Sequence, residues 1–468
     1  MEPMPLVEAA QAVGAQVIGE AHGVIQGVCT DTRRGAQGTL FFALRGEQDD
    51  GHRYVAQAFA QGAIAAVVER ALPEVTGPLL VVPDTTVALG DLAGFYRRKF
   101  RLPVVGITGS VGKTSTKEMI AQALASMRSV LASEKNYNNE IGVPLTLFQL
   151  HRHHSVAVIE MGMRGIGQID RLAAIAEPTI GVITAIGYAH IELLGSREAI
   201  AQAKSELLAR LPAGGWAVLP RYDPFFAYLQ SRVPEGVSVI TYGVGEGPEP
   251  PDVVARPYTA GQAAILSVRD ETVALQLRVS GSHHLHNAAA AVAVAHILEV
   301  PLHVAAEALE RWQGVEGRMR MVEAAGGWTV LDDCYNAGPE SMEAALRTLA
   351  LMEAQRRVAV LGDMRELGDF ALVLHRQVGH RVVECGVNLL ITVGDLAAEI
   401  GREAERYAHH TGSVAPAVIH FADTATATIA VRDQIQPGDV VLVKGSRAMQ
   451  METIVAALTG LEGPAGHA

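Results

Sequence analysis

The sequence predicts an α/β protein of three domains, and three observations carry that prediction. Its 468 residues exceed what one hydrophobic core organises. Hydrophobic residues make up 49% and charged residues 19%, a globular balance with apolar material for several cores. Short β-branched apolar runs alternate with helical periodicity along the chain, the pattern of parallel strands covered on both faces by helices.

The elements follow in order. Residues 1–98 place GTLFFAL, GAIAAVVE and PLLVVPD between loops and read as a small N-terminal α/β domain. LPVVGITGSVGKTSTKEMIAQALASM then reads as buried strand, glycine turn and helix, and opens the central domain, 99–317. There SVAVIEMG, PTIGVITAIG and GGWAVLP are apolar throughout and separated by helical stretches, which predicts a mainly parallel sheet. The Gly- and Pro-rich GVGEGPEPPDVVARPYTAGQ reads as a loop or irregular insertion. A helix over VPLHVAAEALERWQGV leads to a boundary close to Arg318. Residues 318–468 repeat strand-then-helix units, RRVAVLGDMREL, NLLITVGD and DVVLVKGSRAMQMETIVAAL among them. This predicts a Rossmann-like C-terminal domain with its ligand edge at the strand carboxyl ends.

Composition narrows the partners. A formal charge of -12 argues against nucleic acid, which is bound by concentrated Lys and Arg, while leaving room for a small anion in a local pocket. Cys29, Cys334 and Cys385 lack metal-ligand spacing and read as buried small hydrophobes in a reducing compartment. The N-terminus shows no signal pattern, and no uncharged run approaches the roughly 20 residues of a membrane span. A soluble cytoplasmic protein without membrane insertion is expected. The cluster His151, Arg152, His153 and His154 precedes a strand without ligand spacing and reads as a solvated turn.

Chemistry concentrates in the central domain. Gly109-Ser110-Val111-Gly112-Lys113-Thr114 lies between a predicted strand and a predicted helix, where backbone N–H groups and the positive helix end hold phosphate oxygens. In such a loop the lysine meets the terminal phosphates and the threonine a magnesium ion. The spacing is a variant of the common pattern: Gly106 falls one residue early and Ile107 takes the first-glycine position. Glu160 ends an apolar run, so in a parallel sheet its carboxylate emerges beside the phosphate loop, where a second magnesium contact is useful. His190 follows the next run, and AIAQAKSELL puts Lys204 and Glu206 on a helix downstream.

TGSVGKTSTK, NYNNEIGVP, VIEMG, AHIE and AKSELL resemble the ATPase core of the Mur ligases, the amide-forming enzymes of peptidoglycan precursor synthesis, and the resemblance extends over essentially the whole chain. It implies that Gly109 to Ser115, with Lys113 and Thr114 foremost, bind ATP and magnesium. It also implies that Glu160 and His190 hold metal, with two magnesium ions in all, and that Lys204 is carbamylated. Carbon dioxide would convert that amine into an anion able to neighbour metal ions. GSHHLHN resembles the adenine segment, with His283 and Asn287 at its matching positions; Arg318 resembles an interdomain arginine on the ATP phosphates, and Asp333 the acid on the ribose.

DDCYNAGPESM, LGDMRELG and LVKGSRAMQME resemble the family branch that adds D-alanyl-D-alanine, and the Asp-Asn-Pro-Arg signature of the branch adding the third amino acid is absent. Asn336, Asp363, Lys444 and Ser446 would neighbour the incoming dipeptide. Two positions depart from the family: Gly338 stands where Asn is usual, and Pro220-Arg221 interrupts a turn before Asp223. TDTRRGAQGTLFFALRGEQDDGH resembles the loop gripping the UDP end of the substrate, with Thr32, Arg33 and Arg45 as diphosphate contacts. The implied reaction joins the dipeptide to UDP-N-acetylmuramoyl-tripeptide through an acyl phosphate, in a monomer whose third domain closes over the second. Another amide ligase of the superfamily, third-residue-adding or folylpolyglutamate type, and a P-loop ATPase without an amine acceptor are the alternatives.

Overall fold

The computed structural model describes residues 1–46, 49–134, 136–247, 249–258, 262–279 and 281–460. Three principal sheets organise the chain. The first has five strands in the order Gln16–Ile18, Leu79–Val81, Ala65–Val68, Thr39–Phe42, Gly27–Cys29, all parallel except the edge strand Gln16–Ile18. Its strand Ala65–Val68 is buried at every residue, as its apolar sequence predicts. The helix Thr85–Arg97, capped by Asp84 on two backbone N–H groups, leads out of this unit.

The second sheet has nine strands, with Val104–Thr108 between Ile180–Ile183 and Val156–Glu160 in parallel register. Chain connections from Val104–Thr108 run first to one side of the sheet and later to the other, so ligands are expected at its carboxyl end. The helix Ser282–Ile297 buries a run from Leu285 through Ala295, broken only by the partly covered His286, and packs on the helix Lys113–Leu124; its alanines let the two approach closely. The segment expected to be a loop or irregular insertion is irregular only in part, and residues 248 and 259–261 of it lie outside the described residues. Val253–Pro257 is a strand, parallel to Ser238–Val244 and antiparallel to Ala263–Val268. The glycines and prolines before it hid a short apolar VVA run that the sheet buries.

The third sheet has six strands, parallel apart from the entering strand Arg320–Glu323. The carboxyl ends of Thr329–Asp332 and Asp439–Lys444 border the same cleft as the central phosphate loop. Cys29 and Cys334 are buried and unpaired, whereas Cys385, at a helix end, is only half-buried. No described helix is long and apolar enough to cross a membrane. His151–His154 form a turn whose rings stack on one another, with His151 against Glu2.

Candidate active site between the central and third domains

A cleft of about 1150 Å³ opens where the carboxyl edges of the central and third sheets meet. Strand Val104–Thr108 delivers the loop Gly109 to Gly112, and Gly112, at φ +83°, caps the helix Lys113–Leu124. That left-handed conformation suits glycine. A side chain there would also meet Asn287 Oδ1, 2.8 Å from the position of its Cβ. The Ser110 N–H donates to Ala185 O at 2.8 Å, and Thr184 Oγ1 donates to Val111 O at 2.5 Å, so the neighbouring strand end braces the loop. The Lys113 ammonium donates to Gly109 O at 2.7 Å. Burial lowers its pKa, Glu160 opposes that, and Arg318 adds to it.

Glu160 is buried at the end of its strand. Its Oε1 accepts from Asn138 Nδ2 at 2.8 Å, and its Oε2 has no hydrogen-bond partner among the described residues. Behind it Lys204 is also buried, and makes no hydrogen bond or ion pair with a described residue. Burial, and then the charge of Lys113, hold its amine well below the ordinary lysine range. A buried carboxylate with an open oxygen beside a threonine hydroxyl and a phosphate-binding loop suits magnesium, which takes one or two carboxylates and fills its remaining positions with phosphate and water. His190, at φ +68°, places Nδ1 2.7 Å from Glu366 Oε2 of the third domain, which lowers the pKa of that carboxyl.

On the opposite wall, burial pushes His283 down to about 4, with Asp333 opposing and Lys444 assisting. His286 is likewise pushed to about 4 by burial and then His283. Asn287 lines the cleft, and its Oδ1 accepts the Thr116 hydroxyl at 3.2 Å. Arg318 stacks on the Tyr335 ring at 4.3 Å and donates to Thr114 Oγ1 at 3.1 Å. Lys444 donates to Asp333 Oδ2 at 2.6 Å and to Asn336 O at 2.8 Å. Ser446 Oγ accepts the Arg365 N–H at 2.8 Å.

The cleft thus gathers Ser110 to Ser115, Glu160, His190, His283, Asn287, Arg318, Asp333, Asn336, Lys444 and Ser446. Gly109 and Lys204 are not among its lining residues. Asp363 is buried beneath it, with Oδ1 accepting the Ala397 N–H at 2.8 Å. Thr32, Arg33 and Arg45 stand apart on the first domain: Thr32 is buried, Arg33 pairs with Asp31 at 2.9 Å and Arg45 with Glu69 at 3.0 Å. Their neighbour Arg34 reaches the central domain by donating to the Tyr137 hydroxyl at 3.2 Å. Asn138, Tyr335, Glu340 and Glu366 also line the cleft; the sequence signals for them are the segments NYNNE, DDCYNAGPESM and LGDMRELG that contain them, which do not mark the individual residues.

A lysine-bearing phosphate loop roofed by the ligand edge of a second sheet defines an enzyme that handles nucleotide phosphates at a domain junction. Family models described as "Mur ligase family, catalytic domain", "Mur ligase middle domain" and "Mur ligase, glutamate ligase domain" match residues 24–97, 107–295 and 317–447. The UDP-N-acetylmuramoyl-tripeptide--D-alanyl-D-alanine ligase of Synechocystis is 40% identical over 93% of this chain and 92% of its own. A crystal structure of MurF from Acinetobacter baumannii superposes with a TM-score of 0.89 at 33% identity, covering 98% of this chain and all (100%) of that one. MurF from Thermotoga maritima in complex with ADP gives 0.81 at 27% identity, covering 92% and 97%. The chain belongs to the Mur ligase family.

Proposed function

We propose that this protein joins D-alanyl-D-alanine to the terminal carboxylate of UDP-N-acetylmuramoyl-tripeptide, consuming ATP and passing through an acyl phosphate. The observation that carries the reading is the Arg318–Thr114 contact, which brings the third domain onto the phosphate loop of the second. A carboxylate is a poor acylating agent and needs a leaving group, which the γ-phosphoryl of ATP supplies. Lys113 and Arg318 flank the transferred group and offset its spreading charge. Thr114 and Glu160 would hold magnesium, which would supply positive charge against the charge that builds up on the phosphate during transfer. His190 is the third candidate ligand, through the ring nitrogen not facing Glu366.

Lys204 is proposed to be carbamylated. Carbon dioxide adds to a neutral amine, and the depressed proton affinity of this buried lysine supports that form. Asp333 is assigned to the ribose and His283 to the base, with Asn287 bracing the loop through Thr116. Asn336, Lys444 and Ser446 border the space for the dipeptide, and Asp363 shapes it from below. Thr32, Arg33 and Arg45 are assigned to the UDP end, and the Arg34–Tyr137 contact supports that surface being continuous with the central domain. The domains are taken as 1–98, 99–317 and 318–468 of a cytoplasmic monomer. The helix ending at Arg97 and the strand beginning at Arg320 support those junctions.

The test is product mass after mixing protein, ATP, magnesium, the UDP-tripeptide and D-alanyl-D-alanine, with other amines in parallel. The expected product is the tripeptide extended by the dipeptide, abolished by Lys113→Ala in a folded protein. Phosphate release without an amine-dependent product would make the protein an ATPase instead.

A further inference from the structure

Lys117 is fully buried, and burying an amine that carries a charge is costly unless specific contacts offset it. It stands one turn after Lys113 on the helix Lys113–Leu124 and so shares a face with it. Its ammonium donates to Ser133 O and pairs with Glu118 Oε1 at 2.8 Å. Ser133 follows the edge strand Val130–Ala132, which runs parallel to Val156–Glu160 with Ala132 opposite Val158. The Ser133 N–H donates to Val158 O at 3.0 Å, as regular parallel pairing requires. The next rung of that ladder would take the Glu160 N–H to Ser133 O. Lys117 holds that carbonyl instead, and the Glu160 N–H donates to Ser133 Oγ at 3.1 Å. Ser133 and Glu160 are both buried.

Resting on the reading in which Glu160 holds metal, we propose that Lys117 is a positioning residue for that carboxylate. By withdrawing the Ser133 carbonyl it ends the ladder one rung early and leaves the Glu160 backbone fixed through a hydroxyl. The helix whose first residue is Lys113, assigned to the phosphates, therefore also fixes where Glu160 sits. One helix registers the phosphate-binding and metal-binding halves of the site against each other. An apolar side chain of the same length would fill the space without a desolvation cost, but it has no donor for the carbonyl. The grip on Ser133 accounts for a charge in this place.

Lys117→Met keeps the length and removes the donor, and Ser133→Ala removes the hydroxyl that accepts from Glu160. Wild type, both single variants and the double variant are compared by calorimetry of ADP binding without metal. Manganese binding to each protein–ADP complex is then read by electron paramagnetic resonance. Lys117→Met should keep metal-free ADP binding within about 3-fold and weaken manganese about tenfold, the loss expected when the support of a metal ligand is removed. Ser133→Ala should weaken manganese in the same sense, and the double variant should be within about 3-fold of the worse single one, because both act through one link. Wild-type manganese affinity in either single variant, an equal fall in metal-free ADP binding, or losses that multiply in the double variant would overturn the proposal. Should Lys117→Met not fold, Ser133→Ala decides by the same two measurements. A wild type whose ADP complex takes up no manganese would remove the metal assignment of Glu160 itself, and this proposal with it.

Discussion

Arg318 and Thr114 stand 204 residues apart in the chain and meet through a hydrogen bond of 3.1 Å. The guanidinium carbon lies over the Tyr335 ring, 4.3 Å from its centroid, a contact that helps to hold the side chain at the phosphate loop. Replacing Arg318 by Ala removes a charge that acts as phosphoryl transfer proceeds. We expect kcat to fall about 100-fold with a smaller change in the KM for ATP, read by phosphate release. A fall in ATP affinity alone, with kcat intact, would show that Arg318 only binds nucleotide.

Glu160 offers one oxygen to Asn138 and leaves the other open. Glu160→Gln keeps the volume and removes the charge. The magnesium concentration for half-maximal activity should rise about tenfold or more, in line with the loss expected when a ligand or its support is altered. A magnesium titration that superimposes on the wild type would exclude Glu160 from metal binding.

Much of this site was legible because local pattern and sheet geometry agree. An apolar run ending in Glu160 sits one strand from the run ending in the glycine loop, and parallel register pairs Glu160 with Ile107. What the sequence hid depends on contacts between distant segments. Asp363 stands in a turn that looks poised for ligands, yet its Oδ1 is used by the Ala397 N–H. Asn287 shares a segment with His283 and lines the cleft, but its Oδ1 also accepts the hydroxyl of Thr116, 171 residues away. Glu340 looks like an ordinary first-turn helix acid until the third domain sets it against Tyr188. Strand Val253–Pro257 was masked by its preceding glycines and prolines.

The glycine in NYNNEIG has a steric reason. A Cβ on Gly142 would lie 2.5 Å from Tyr137 Cα, which is backbone and cannot swing aside. Gly142→Ala should displace the turn that carries Asn138, lowering stability by about 1–3 kcal/mol and raising the magnesium requirement. Denaturant unfolding and the same magnesium titration check both effects together. An alanine variant matching wild type in both would mean that the turn yields without cost.

His283 and His286 make stability depend on pH with a definite sign. Each is pushed to about 4 in the folded protein, against about 6.5 in an unfolded chain. Between those values the unfolded chain binds more protons, so stability is full above about 6.5 and falls as pH drops towards about 4. Each group contributes a slope of about 1.4 kcal/mol per pH unit across that window. His286→Asn removes one of the two, and its denaturation midpoint should vary less steeply between about pH 6.5 and 4 by about one proton. Parallel curves for the two proteins would show that His286 protonates in the folded state as readily as in the unfolded one, and would remove burial as the cause of its shift.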